Sequence, residues 1–138
     1  MSEETRNVET LRQAYGIWSE TRGGRSDHWL EICDENIAFG SIAHGPPAAP
    51  YMTAFHRRDE LKDYFDGLSR DWEMMEFKVD DFVAQGNRVV MLGRCAWKFR
   101  KTGKVVWTPK ADSWRFDDGK AVEFFEFYDT AQVLAATA

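Results

Sequence analysis

Histidine and cysteine are both scarce in this chain, and each shortage removes a class of function. The three histidines, His28, His44 and His56, form neither a His-x-His nor a His-Glu-x-x-His spacing, so no metal site is expected. Cys33 and Cys95 are the only cysteines and form no CxxC pair. That suits a reducing compartment in which both are small buried hydrophobes. Positive charge is also short: 18 basic against 23 acidic side chains give a net charge of −5, which repels phosphate backbones and anionic lipid. The one basic stretch, Arg94 to Lys104, spans a hairpin with a solvated turn, so no nucleic-acid partner is expected. Met1 to Arg6 is polar and acidic, unlike a secretory signal. No apolar run approaches a membrane span, and a cytoplasmic protein without a membrane partner is expected. There is no glycine loop to cradle phosphate, and Ser41 has no His-Asp pattern beside it, which argues against nucleotide cofactors and acyl-enzyme chemistry. Whatever chemistry the chain performs is expected to need no cofactor.

What is plentiful is aromatic surface. The chain has 138 residues, enough for one core, and we read residues 1–138 as one domain. Apolar residues make up 43% and charged ones 30%, a globular balance, but 14% are aromatic, with six Trp and ten Phe. An aromatic-lined concavity is one use for that excess. Val8, Leu11, Tyr15 and Trp18 recur at helical spacing after Glu3 and Glu4, and Gly23-Gly24 ends that helix. Ser26 can cap a short second helix that carries Trp29, Leu30 and Cys33 inward. Asp34-Glu35-Asn36 reads as a turn into a strand over Ile37 to Ala43. Three prolines between His44 and Pro50 stiffen an extended loop. From Asp59, the spacing of Leu61, Tyr64, Phe65, Leu68 and Trp72 predicts a third helix.

The period then changes from 3.6 to 2. Met75, Phe77, Val79, Asp81 and Val83 alternate up to Gly86-Asn87, and Val89 to Arg100, Val105 to Phe116 and Lys120 to Tyr128 follow as strands, with turns at Thr102 to Lys104 and Asp117 to Gly119. Thr130 to Ala138 reads as a short tail. The order ααβαββββ, with helices beside a sequential antiparallel sheet, is an α+β fold.

That order, the phrases Asp34-Glu-Asn-Ile-Ala-Phe39, Gln85-Gly-Asn-Arg-Val-Val90, Asp112-Ser-Trp-Arg-Phe-Asp-Asp-Gly119 and Glu126-Phe-Tyr-Asp129, and the Gly-Pro-rich loop before the third helix resemble the nuclear transport factor 2-like (SnoaL-like) superfamily. The resemblance implies a cone-shaped, barrel-like roll in which three N-terminal helices pack on a curved, mostly antiparallel sheet around a pocket. It implies fold more than function, because the superfamily includes ketosteroid isomerases, polyketide cyclases, epoxide hydrolases, dehydratases and non-catalytic binding modules.

Alternation along each strand assigns faces. Met91, Gly93, Cys95, Trp97 and Phe99 make the apolar face of one strand and are expected to face the pocket. Asp112, Trp114 and Phe116 on the next strand and Val122, Phe124, Glu126 and Tyr128 on the last are expected on the same side. Asp112 then lies among Trp and Phe, a setting that can hold a carboxyl neutral as a hydrogen-bond donor. It resembles the protonated acid of ketosteroid isomerase, and Tyr15 resembles that enzyme's oxyanion tyrosine. The alternative is that Asp112 pairs with Lys110 or a backbone amide and Tyr15 is a core aromatic. The isomerase's base position falls at Gly40, next to Ser41, so that mechanism lacks a part unless His44, His56 or Glu126 supplies proton transfer. The Arg-x-Asp pair of epoxide hydrolases is replaced by Gly93 and Cys95.

Tyr15, Asp112 and Glu126 are therefore the candidate catalytic residues. Trp18, Gly40, His44, Tyr51, Phe55, Trp97, Phe99, Trp114, Phe124 and Tyr128 are the candidate ligand-binding ones. Two functions stand: cofactor-free acid-base chemistry of isomerase, cyclase or dehydratase type on a small, apolar, oxygen-bearing molecule, and a binding module that stores or senses such a ligand. The loop from His44 to Thr53, with Tyr51, Met52 and Phe55, is either the pocket mouth or an ordinary surface loop. Val90, Leu92 and Ala96 beside Phe125 and Phe127 leave an apolar outer face expected to form a homodimer, unless Arg94 and Arg115 keep it solvated.

Overall fold

The computed structural model describes residues 2–138, and helices at the start of the chain pack on one sheet. Helix α1, Glu3–Glu20, begins where the Ser2 side chain accepts from the Thr5 amide, with Glu3 and Glu4 at the positive end of the dipole. It buries Leu11, Ala14, Tyr15 and Trp18. Arg22 and Gly23 take left-handed backbone, and the Gly23 amide donates back to the Trp18 carbonyl at 2.9 Å, which closes the helix. Helix α2, Asp27–Ile32, is a single short stretch that buries Trp29 and Ile32. Ser26 does not cap it through its side chain. Its own backbone is helical, so its hydroxyl is not aimed along the first-turn amides.

Strand β1 runs Cys33–Ser41, starting earlier than the sequence suggests. Asp34-Glu35-Asn36 is not a turn before the strand but an irregularity inside it: the Asp34 carboxylate accepts from the Asn36 amide at 3.0 Å, and the register slips between Cys33 and Ala38. After a 3-10 turn at Arg58–Glu60 comes α3, Leu61–Asp71, which buries Leu61, Tyr64, Gly67 and Leu68. Trp72, expected on that helix, opens strand β2, Trp72–Gln85. Strands β3, Arg88–Phe99, β4, Val105–Asp117, and β5, Lys120–Tyr128, complete a sheet of order β1-β5-β4-β3-β2, antiparallel except for the β1/β5 pair. The sheet is curved and unclosed, the α+β architecture the sequence implies. No helix among the described residues is long and apolar enough to cross a membrane.

Three departures from alternation share one cause. Bulges between Met74 and Glu76 and between Val79 and Asp81 each add a residue to β2. The inward set is therefore Trp72, Met74, Phe77 and Phe82, while Met75 and Val83 face solvent at 37% and 52% exposure. A third bulge, where Arg115 pairs with Glu123 but Phe116 pairs with Ala121, puts Ala121 rather than Val122 into the core. The expected tail is in part a helix, α4, Thr130–Ala136, capped by Asp129, whose side chain accepts from the Gln132 amide, and burying Val133 and Ala136. The proline loop is not extended either. Gly45 donates to the Met52 carbonyl at 2.6 Å and Met52 to the Ala49 carbonyl at 3.0 Å, folding the segment back on itself.

Candidate functional site

Between α1, α3 and the inner face of the sheet lies a cavity of about 100 Å³. Its walls are almost wholly apolar and largely aromatic, including Trp18, Trp29, Trp97 and Trp114. Three charged side chains interrupt them: Lys110, Asp112 and Glu126. Strand register explains how they meet. Asp112 on β4 stands directly opposite Glu126 on β5, a pair of like charges that would repel. Lys110 is two residues before Asp112 and so on the same face. Its ammonium lies 2.7 Å from Asp112 Oδ1 and 2.9 Å from Glu126 Oε1. All three side chains are nearly out of water, at 11%, 3% and 4% exposure, where removing Lys110 would leave two carboxylates uncompensated.

Hydroxyls complete the cluster. Tyr15, brought in from α1, donates to Asp112 Oδ2 at 2.5 Å and accepts from Trp114 Nε1 at 2.9 Å. Tyr64, from α3, is 3.1 Å from both oxygens of Glu126 and donates to one at a time. Ser41 and Tyr128 share a bond of 2.9 Å at the edge of the cavity.

Burial raises the Asp112 pKa above its ordinary value, Lys110 opposes that rise, and Glu126 adds to it. Burial would lower the Lys110 pKa, but the two carboxylates outweigh it and hold the ammonium charged beyond the usual lysine range. Tyr15 and Tyr64 are raised well above 10, first by burial and then by the neighbouring carboxylate. Burial pushes Cys33 up to about 12 and Cys95 up to about 11, so both cavity thiols are unreactive at neutral pH.

The geometry revises the picture of Asp112 as a free donor. Both of its oxygens face donors, the Lys110 ammonium and the Tyr15 hydroxyl, so it acts as an acceptor, and Tyr15 has its proton committed to it. The ion-pair alternative with Lys110 is the arrangement present.

Of the candidate residues, Tyr15, Trp18, Trp97, Asp112, Trp114, Phe124, Glu126 and Tyr128 line this one cavity. Five others do not. Gly40 turns its missing side chain outward: a Cβ there would sit 2.5 Å from Phe125 Cδ2, so an acid at that position would not reach the cavity. Phe39 and Ser41, its strand neighbours, face in. His44 is exposed, with left-handed backbone (φ 54°) that directs it to solvent, and His56 is exposed too. Tyr51 packs over Gly67, donates to Asp71 at 2.9 Å and accepts from Trp72 Nε1, so it ties the folded loop to α3. Phe55 bridges to Phe39 and packs at a tilt against its ring and edge-on against Tyr64. Phe99 is buried against Trp72 at the end of the sheet rather than in the cavity wall. From the loop, Met52 lines the cavity.

Lys110 and Tyr64 are the members of the polar cluster that the candidate set omits. Both had a signal: Lys110 shares the phase of Asp112, and Tyr64 lies on the apolar stripe of α3 between Leu61 and Leu68. Val133 of α4 also lines the cavity, from a segment read as a tail.

The family described as the SnoaL-like domain matches the chain over residues 11–124. Several solved structures share the fold. A nuclear transport factor 2-like protein of Burkholderia thailandensis is 25% identical, with a TM-score of 0.80, over 96% of this chain and 97% of that one. A SnoaL-like polyketide cyclase, so named provisionally, from Jannaschia sp. is 21% identical, with a TM-score of 0.78, over 99% and 94%. A Bacillus subtilis protein described as an isomerase, again provisionally, is 21% identical, with a TM-score of 0.79, over 99% and 95%. No protein of curated function matches the chain.

Proposed function

Because the chain belongs to the SnoaL-like domain family, we propose that it performs cofactor-free acid-base chemistry on a small, largely apolar, oxygen-bearing molecule held in the aromatic cavity. One observation carries the reading: a buried ammonium, Lys110, held between two buried carboxylates in an otherwise apolar wall. The Glu126 carboxylate takes a proton from the carbon beside a substrate carbonyl. The C–H electron pair becomes a carbon–carbon double bond, and the negative charge moves to the oxygen, where Lys110 stabilises it. Return of the proton from Glu126 to another carbon gives an isomer; loss of a β-hydroxyl with that proton gives a dehydration. Tyr64 holds Glu126, and Tyr15 with Trp114 holds Asp112, so these are positioning residues.

The test is a mass-resolved product screen with ring-sized enolisable ketones, comparing wild type with Glu126→Gln. Product that falls by roughly 10²–10⁴-fold in the variant while binding survives supports the reading. Binding without product in the wild type overturns it in favour of a binding module. That second reading has its own support in the outward-facing Gly40 and in the committed hydroxyl of Tyr15.

The reading extends to assembly. Leu92, Ala111 and Phe127 are register neighbours across three strands of the outer face, and Trp107, opposite Ala96 further along β4, lies on the same face at 64% exposure. Arg115 is engaged by Glu123 and Asn87 instead of covering that row. A second copy of the chain packing on this row would remove it from water.

A further inference from the structure

The hydrogen bonds already made inside the cavity restrict what a ligand can offer. Asp112 has both oxygens engaged. Ser41 donates to the Tyr128 oxygen, Tyr128 donates in turn to Met52 Sδ at 3.5 Å, and the Thr108 hydroxyl donates to the Pro109 carbonyl and accepts from the Asp129 amide. Lys110 has three ammonium protons and two partners, Asp112 and Glu126, among the described residues. Tyr64 has one proton for the two oxygens of Glu126, so one carboxylate oxygen keeps free acceptor capacity. At the charged corner what remains open is one Lys110 N–H donor and one adjacent Glu126 acceptor, on side chains 2.9 Å apart.

Charge narrows the choice further. One ammonium faces two carboxylates, and no other lysine, arginine, aspartate or glutamate lines the cavity. An added anion would meet two like charges in a water-poor site, a juxtaposition that is strongly disfavoured. An added cation would have to share the corner with the Lys110 ammonium. Size sets the remainder of the molecule: about 100 Å³ is on the scale of the roughly 150 Å³ cavity that accommodates benzene.

We propose that the site selects a neutral, one-ring molecule whose polar edge presents a hydrogen-bond acceptor and a hydrogen-bond donor side by side, as in an enol, a hydroxyketone or an amide, and that it rejects carboxylates of the same size. The acceptor takes the free Lys110 proton and the donor meets Glu126. This deepens the acid-base reading and rests on the same cavity being the ligand site, but it concerns recognition and not turnover.

Four probes of one size separate the possibilities: benzamide, benzoate, benzylamine and toluene, each titrated by calorimetry and by ligand-observed NMR at neutral pH. Benzamide has no enolisable carbon, so its binding is independent of whether the protein catalyses anything. The expected ranking places benzamide roughly tenfold or more above each of the others. In Glu126→Gln the cluster loses one negative charge, and benzoate is expected to gain on benzamide because a carboxylate can then accept from Lys110. Benzoate or benzylamine binding the wild type as tightly as benzamide overturns the inference, as does toluene equalling benzamide. Absence of binding by all four at millimolar concentration overturns it too. If Glu126→Gln does not fold, the wild-type ranking decides alone. A wild type that shows this ranking but yields no product from any enolisable ketone refutes the catalytic reading and leaves the recognition inference standing.

Discussion

The two faces of the sheet both carry ion pairs, but in opposite surroundings. On the inner face Lys110, Asp112 and Glu126 are at most 11% exposed. On the outer face Arg115 and Glu123 sit 3.2 Å apart at 40% and 44% exposure. The distances are similar and the consequences are not. Water screens the outer pair, which contributes little. The inner cluster has no such screen, so both of its carboxylates depend on the Lys110 ammonium. The apolar residues divide in the same way: the aromatics on the inner face line a cavity, while Leu92, Trp107 and Phe127 are left exposed outside.

The sharpest way to break this comparison is to remove one cation from each face. Lys110→Met leaves two buried carboxylates unpaired and is expected to cost about 3–5 kcal/mol in urea unfolding at pH 8, and less at pH 5, where a carboxylate can take up a proton. Arg115→Met is expected to cost about 1 kcal/mol or less. Equal losses would remove the distinction between the faces.

Alkaline titration sharpens the same point without substitution. All four tyrosines are raised above 10, Tyr15 and Tyr64 chiefly by burial and Tyr128 by burial to about 12, with Tyr51 raised as well. As pH climbs past 10 the unfolded chain releases these phenolic protons first, and it also releases the Lys110 proton first, so every one of these groups lowers stability in that window. Phenolate absorbance is therefore expected to appear together with unfolding and not in a separate earlier step. Asp112 acts with the same sign at acid pH: between the ordinary aspartate value and its raised folded value, stability falls as pH rises.

A smaller effect probes the orientation of β1. Gly40→Ala is expected to cost about 1–3 kcal/mol through collision with Phe125, and the cost should shrink in a Phe125→Ala background, measured as a double-mutant cycle. An undiminished cost would place the collision elsewhere. The smallest effect on stability belongs to the outer row. Trp107→Glu is expected to change the unfolding of the monomer, measured at concentrations too dilute for dimerisation, by less than about 0.5 kcal/mol while converting a dimer to a monomer in sedimentation at higher concentration. A wild type that is already monomeric at micromolar concentration refutes the assembly proposal.

How legible each part was depended on unbroken periodicity. The stripe Leu11, Tyr15, Trp18 and the faces of β3 and β4 could be read because nothing interrupts the count, and those elements carry Tyr15, Lys110 and Asp112 into the cavity wall. Where a bulge adds a residue, every position beyond it changes face, and a bulge leaves little trace in a sequence this rich in apolar residues. That explains Met75, Val83 and Val122. Gly40 was misplaced for a related reason: a position counted from Asp34 crosses the register slip before Ala38. Lys110 could be phased with Asp112, but its contact with Glu126 depends on which residues of β4 and β5 stand opposite each other, and the bulge beside Arg115 shifts that pairing. Tyr51 was lost to the loop folding back, which depends on carbonyl partners that proline content alone does not specify. The α4 helix had a usable signal in Asp129, an N-cap residue followed by Val133 and Ala136 at helical spacing.

That helix bears on how quickly a bound molecule leaves. Val133 is its residue in the cavity wall, Ala136 is its other buried side chain, and Thr102 Oγ1 donates to the Ala136 carbonyl at 2.6 Å from the β3–β4 turn. Few contacts hold a seven-residue helix in place, and segments with few buried contacts open well before the whole fold does. Affinity would then be fixed by the Lys110 corner deep in the sheet, while residence time would follow the lifting of α4. Changes at Thr102, which touches α4 but not the cavity, would alter the rates of entry and exit together and leave the equilibrium constant nearly where it was.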